Sequence, residues 1–289
     1  MIQFTQVRGL LCYDFIARSP VIVSEPMSAV RLVQFTDPHL YGDEGGLLRG
    51  VATFPALLRA LAHARAHEWP VEGVLVTGDL VQDDPAGYVN FRRAFETLGK
   101  PIYCVPGNHD EPVAMSRELA RAPFVLGGVV DLGAWRLILL DSSVAGSAEG
   151  HLSEASLALL DEALASAAER HALVCLHHHP VPMSSRWLDR VGLTNPEELF
   201  RVIDAHRNVR AVLWGHVHQS FDALRRNVRL LATPSTCAQF LPHSDEFAVD
   251  PRPPAYRTLT LRADGTMLTE VIWVDACSAV LPRSACSAA

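Results

Sequence analysis

Five short motifs in this chain gather side chains able to bind metal ions or move protons. They are Asp37-Pro38-His39, Gly78-Asp79, Gly107-Asn108-His109-Asp110, His177-His178-His179-Pro180 and Gly215-His216-Val217-His218. Carboxylates, imidazoles and a carboxamide together make a mixed oxygen and nitrogen ligand set, which suits iron, manganese or zinc better than magnesium or calcium. Singly, each motif has an ordinary explanation. Pro-Gly and Asn form turns for steric reasons, and Asp-x-His often pairs a turn with a surface histidine. Their concentration argues otherwise, because seven of the chain's 13 histidines lie in these motifs. In extended backbone, residues two apart point to the same side. Asp37 with His39, and His216 with His218, are therefore each expected to aim two donors at one place.

Each motif follows an apolar run of strand length. Val30 to Thr36 leads into Asp37, Val71 to Thr77 into Asp79, Pro101 to Val105 into Asn108, Ala172 to Leu176 into His177, and Val209 to Trp214 into His216. Between them the apolar spacing is helical. Ala52 to His67 carries Leu57, Leu58 and Leu61, and Pro85 to Leu98 carries Phe91 and Phe95 four apart. Ser153 to Glu169 is a further helix with Ser153 near its start, and Asn195 is expected to cap another that begins at Pro196 and runs through Ala205. Trp135 to Leu140 reads as one more strand. The alternation of strand and helix predicts parallel strands with right-handed crossovers. Val228 to Ala232, Tyr256 to Leu261 and Met267 to Val274 are read as antiparallel strands, the last two joined by a turn at Asp264-Gly265. The expected fold is an α/β domain of two packed mixed sheets flanked by helices. Its strand-end loops converge on one edge, the usual place for a site.

Length and composition bound the rest. The chain has 289 residues, 49% apolar and 20% charged, with a formal net charge of −7. That fits a folded protein with a substantial core and argues against a nucleic-acid polymer as partner. No apolar run reaches the length of about 18 residues that a membrane span needs. The six cysteines are scattered without a CxxC pair, as in a reducing cytoplasm. Residues 1–26 show neither the apolar core nor the cleavage site of a secretory signal. They are read as a dispensable extension, residues 27–275 as a single domain, and residues 276–289 as a mobile tail.

In this order and these contexts, the five motifs resemble the signature blocks of the calcineurin-like metallophosphoesterases. Leu176 through Asp189, Thr233 through Pro242 and Tyr256 through Leu259 are similar to the bacterial 3′,5′-cyclic AMP phosphodiesterases of class III within that superfamily. The resemblance covers about residues 30–275 and implies a four-layer α-β-β-α sandwich holding two divalent metal ions. It favours Fe(II), with Mn(II) as substitute and Zn(II) as a further option. One ion would take Asp37, His39 and His218, and the other Asn108, His178 and His216, with Asp79 bridging. His178 is preferred to His177 because the family's ligand stands two residues before the proline. Two ions less Asp37, Asp79 and a bridging hydroxide leave a net charge of about +1, which attracts a phosphodiester anion. The implied reaction is attack of that hydroxide on the phosphorus of cyclic AMP, giving 5′-AMP. His109 would serve as the acid for the leaving oxygen, and Asp110 would either orient His109 or cap the next segment. Substrate would rest against Asn108, His109, His39, Asp79, His178 and His218, with Trp187 or Phe240 available to stack on the base. The partner would be a small cyclic nucleotide, with no membrane, and the protein a cytoplasmic monomer or homodimer. Rival readings are another phosphodiester or phosphomonoester on the same scaffold, or a non-catalytic scaffold lacking metal.

Overall fold

A computed structural model describes residues 29–275; the expected extension and tail lie outside them. In chain order the first half contains β1 (Val30–Phe35), β2 (Leu47–Leu48), β3 (Val51–Ala52), α1 (Thr53–His67), β4 (Gly73–Thr77), α2 (Gly87–Glu96), β5 (Ile102–Val105), α3 (Pro112–Leu119) and β6 (Phe124–Leu126). The second half contains β7 (Gly128–Leu132), β8 (Trp135–Leu139), α4 (Glu154–Ala165), β9 (His171–Cys175), α5 (Pro196–Ala205), β10 (Val209–Trp214), β11 (Phe221–Arg225) and β12 (Val228–Ala232). Two short strands, β13 (Gln239–Phe240) and β14 (Val249–Asp250), precede the hairpin of β15 (Ala255–Leu261) and β16 (Met267–Trp273).

Two six-stranded sheets result, ordered β16-β15-β1-β4-β5-β6 and β11-β12-β10-β9-β8-β7. Their central strands are parallel, as is the edge strand β6, and the other outer strands are antiparallel. The burial of alternate residues shows how the sheets stack. Leu32, Leu75, Val105 and Leu259 from the first sheet share one apolar cluster with Leu139, Leu173, Leu213 and Leu231 from the second. The opposite faces bury their own clusters. Val33, Phe35, Val74 and Val76 pack against α1, α2 and α3, while Val174, Val212 and Trp214 pack against α4 and α5. Helices thus cover both outer faces, and the order of layers is α-β-β-α. Within this frame Phe91 and Phe95 stack at 4.4 Å, an aromatic pair worth about 0.5–1.5 kcal/mol beyond its burial. Leu57 and Leu61 are buried as their spacing requires, whereas Leu58 turns outward.

Two local expectations are corrected and one is met. β12 runs parallel to β10 and antiparallel only to β11. An edge strand, Phe221–Arg225, reverses the chain between them, so the last third is not wholly antiparallel. Ser153 does cap α4, accepting from the Ser156 amide. Asn195, in contrast, does not cap α5 with its side chain. Its carboxamide instead pairs with both the N–H and the carbonyl of Leu152, pinning α5 to the loop ahead of α4.

Candidate metal centre

All five motifs leave the ends of parallel strands on the same edge of the two sheets. From the first sheet, β1, β4 and β5 deliver Asp37 with His39, Asp79, and Asn108 with His109. From the second, β9 and β10 deliver the histidines at 177–179 and His216 with His218. The side chains do not converge by simple alternation along extended backbone. Asp37, His39, Asp79, His216 and His218 all have positive φ, between 48° and 66°. Left-handed backbone at non-glycine residues is costly and tends to collect at functional sites, where surrounding structure enforces it. Here it folds each loop back over the sheet edge. Close approach at Gly107 completes the packing, since a Cβ at that position would collide with Asp79 Oδ1.

Two sets of donors meet at Asp79. In the first, His218 Nε2 lies 3.3 Å from Asp37 Oδ1 and 3.0 Å from His39 Nε2. In the second, His177 Nε2 lies 3.2 Å from Asn108 Oδ1 and 3.2 Å from His216 Nδ1. Asp79 Oδ2 stands between them, 3.6 Å from His39 Nε2 and 3.4 Å from His177 Nε2. Several of these imidazoles are oriented from behind. His218 Nδ1 donates to the Ala238 carbonyl at 2.6 Å, and His177 Nδ1 to the Thr77 carbonyl at 2.7 Å. His216 Nε2 meets the Val191 carbonyl at 3.0 Å. A proton spent on a backbone carbonyl leaves the other ring nitrogen with a lone pair facing the cluster, the arrangement that metal-binding histidines use. The donor set therefore fits a pair of cations.

The electrostatics agree. Burial alone would raise the Asp79 carboxyl, but His177, His39 and His109 around it bring it well below the usual carboxylate range. Asp37 is likewise held down by His218 against the opposing effect of burial. Burial disfavours a charge on His177 too, yet Asp79 and Asp37 raise its pKa to about 9. Burial drives His39 down to about 4 and takes His216 well below its ordinary value, the latter helped by its histidine neighbours. The two carboxylates thus favour positive charge in this pocket.

His177 and His178 both stand at the second set, where one ring nitrogen each of His177, His178 and His216 lie within 4.8 Å of one another. Successive residues of a strand face opposite sides, and Leu173 and Cys175 face the space between the sheets. His177 continues that side and enters the cluster. His178 Nδ1 meets Ser142 Oγ at 2.8 Å, and its Nε2 is buried without a hydrogen-bond partner among the described residues. Its ring lies 4.8 Å from that of His216.

Asp110 is not turned to His109. Buried, it accepts from the amides of Gly107 at 2.8 Å and Leu80 at 3.1 Å, and from the Tyr88 hydroxyl at 2.9 Å. It ties the loop after β5 to the loop after β4. Burial, with Asp79 close by, pushes its pKa up to about 7 against these hydrogen bonds. The carboxylate on His109 is Asp83, whose Oδ2 lies 2.9 Å from His109 Nδ1, with Gln82 Nε2 2.8 Å from the same nitrogen. Asp83 was not singled out from the sequence. Its only signal is a place four residues after Asp79, in a loop whose return toward His109 shows only in three dimensions.

A cavity of about 210 Å³ opens over the cluster. His39, Asp79, Asn108 and His216 are at its floor, and Trp187, Phe240 and Phe247 form an aromatic wall, packed edge to face at 5.2–5.3 Å. Phe240 also stacks flat on His218 at 3.9 Å. Among the described residues, no helix is long and apolar enough to cross a membrane.

Comparison with known proteins follows the same lines. The chain is 42% identical over 249 residues to the 3′,5′-cyclic adenosine monophosphate phosphodiesterase CpdA of Pseudomonas aeruginosa, covering 86% of this chain and 91% of that one. It is 37% identical to a 3′,5′-cyclic-nucleotide phosphodiesterase of Nostoc, covering 84% and 91%. A dimetal phosphatase from Danio rerio shares the fold with a TM-score of 0.58 at 16% identity, covering 87% of this chain and all of that one. The family model for calcineurin-like phosphoesterases matches residues 30–220, the stretch that supplies every donor of the cluster. With sheets, strand-end donors and sequence in agreement, the chain belongs to the calcineurin-like phosphoesterase family.

Proposed function

We propose that this protein is a metal-dependent phosphodiesterase that hydrolyses 3′,5′-cyclic AMP to 5′-AMP. The observation that carries the hydrolase reading is the meeting of two three-donor sets at one carboxylate, Asp79. Asp37, His39 and His218 would hold one ion, and Asn108, His177 and His216 the other, with Asp79 shared. His177 is preferred to His178 here because its Nε2 faces Asn108 and Asp79. The choice of cyclic AMP rests on the CpdA relatives, whose likeness runs well past the metal-binding motifs. Mixed imidazole and oxygen donors favour Fe(II) or Mn(II).

The ions, when bound, supply Lewis acidity at the phosphoryl group and a nucleophile at neutral pH. The chain's own residues do the rest. Asp37 and Asp79 fix the charge of the floor, and the neutral carboxamide of Asn108 adds a donor without adding negative charge. His109 is one-third exposed at the cavity, with Nδ1 held by Asp83. That contact orients the ring and leaves Nε2 to give its proton to the departing 3′ oxygen. Acid assistance of this kind is worth about 10²–10⁴-fold. The aromatic wall excludes water from one side of the cavity and offers surface to the nucleoside. The buried free thiols Cys104, Cys175 and Cys237 fit residence in a reducing cytoplasm. The test is turnover of cyclic AMP, 2′,3′-cyclic nucleotides, glycerophosphodiesters and nucleotide monoesters by metal-stripped protein reloaded with Fe(II) or Mn(II). A preference for any substrate other than the 3′,5′-cyclic nucleotide would refute the reading.

A further inference from the structure

The hairpin of β2 and β3 turns through Arg49 and Gly50, both at positive φ (51° and 84°). Two such residues make a tight turn that projects its tip away from the strands. The side chain at this tip reaches back to the cavity. Arg49 is among its lining residues, and its guanidinium carbon lies 4.5 Å above the centre of the Phe247 ring. It is the single Arg or Lys in that lining, and no carboxylate among the described residues lies within ion-pair distance of it. A second unused donor stands on the same wall, since Trp187 Nε1 is buried without a partner among the described residues.

Floor and rim differ in burial. His39 and Asp79 are 3% and 2% exposed, whereas Phe247 is 40% exposed and Arg49 lies at the surface. A phosphate drawn to the floor leaves the remainder of a nucleotide to extend toward the rim. There the ligand meets a guanidinium resting over an aromatic ring. Such a group is planar and donor-only, presents its N–H edge in a fixed fork, and can stack or donate where an ammonium cannot. Its complement is a flat heterocycle with acceptor atoms on its edge.

We propose that Arg49, braced by Phe247, is a specificity-determining residue that receives the nucleobase of the cyclic nucleotide while the phosphate lies on the metal-binding floor. This rests on the phosphodiesterase reading above. It differs from a general attraction of anions, which any cation at the rim would supply, and from a purely structural contact between Arg49 and Phe247.

The experiment compares kcat and KM of the full chain, reloaded with Mn(II), on 3′,5′-cyclic AMP and on the base-free diester bis(4-nitrophenyl) phosphate. Arg49→Ala, Arg49→Lys, Phe247→Leu and the double variant Arg49→Ala/Phe247→Leu are measured beside the wild type, with metal content and melting temperature of each. Arg49→Ala is expected to raise KM for cyclic AMP about five- to twentyfold, the scale of a stacked cation with one hydrogen bond. The cyclic AMP to base-free ratio of kcat/KM falls with it. Arg49→Lys behaves like Arg49→Ala, and the double variant loses less than the product of the single losses. The proposal is overturned if Arg49→Lys matches the wild type, if KM for cyclic AMP does not move, or if both substrates lose in the same proportion. A wild type that turns over only the base-free diester places the failure on the substrate reading instead, and the role of Arg49 falls with it.

Discussion

Replacing His177 and His178 one at a time separates two adjacent imidazoles that the sequence does not distinguish. His177 Nε2 lies 3.2–3.4 Å from Asn108, His216 and Asp79, so His177→Ala removes one of the three donors that the second ion does not share. Losing a group that merely orients a ligand costs about 10–100-fold in metal affinity. Losing the ligand itself should reach at least the upper figure, on the order of 2.7 kcal/mol. At micromolar free Mn(II) the variant should therefore hold one ion where the wild type holds two. Turnover of cyclic AMP should fall by at least the same hundredfold. His178→Ala loses a buried hydrogen bond to Ser142 Oγ, leaving that hydroxyl short of a partner at about 1–3 kcal/mol. It should retain both ions and melt several degrees lower, at about 2–4 °C per kcal/mol for a chain above 150 residues. The assay is elemental analysis after gel filtration, paired with thermal melting. Full metal content in His177→Ala, with loss in His178→Ala, would refute the preference for His177.

Four further outcomes are expected. His109→Ala keeps both ions while kcat on cyclic AMP drops by about 10²–10⁴-fold; elemental analysis beside steady-state kinetics checks it. Asp83→Asn lowers kcat only about two- to fivefold, because the contact with His109 is exposed and screened by solvent, and raising the salt concentration should shrink the difference between Asp83→Asn and wild type. Gly107→Ala drives a methyl group into Asp79, and metal titration of the purified variant should show neither ion bound tightly. Chelation lowers the melting temperature of the wild type, since an ion present at 100 times its dissociation constant contributes about 2.7 kcal/mol; a scan with and without chelator reads this directly.

Much of this site was legible because each motif closes a buried strand. Apolar runs such as Val209 to Trp214 are fully enclosed parallel strands, and their periodicity marks where the loops begin. Two edge strands of the second sheet were not legible. Gly128–Leu132 and Phe221–Arg225 are short and alternately exposed, so they lack the continuous apolar signal. Missing the second also hid the reversal that makes β12 parallel to β10. Counting back from Pro180 selects His178, whereas the proposal of His177 rests on contacts with Asn108 and Asp79 that appear only in three dimensions. Asp83 and Arg49 could not be assigned. Asp83 reaches His109 through tertiary packing across 26 residues, and Arg49 reaches Phe247 from a hairpin of two-residue strands. Left-handed backbone at Asp37 and His216 was equally hidden, since neither residue type demands it.

The most direct test of the central claim is an anomalous-difference map from crystals of the Mn(II)-loaded protein. Two peaks about 3.5–4 Å apart are predicted, flanking Asp79, one against Asp37, His39 and His218 and the other against Asn108, His177 and His216. A single peak, or a pair not sharing Asp79, would contradict the account.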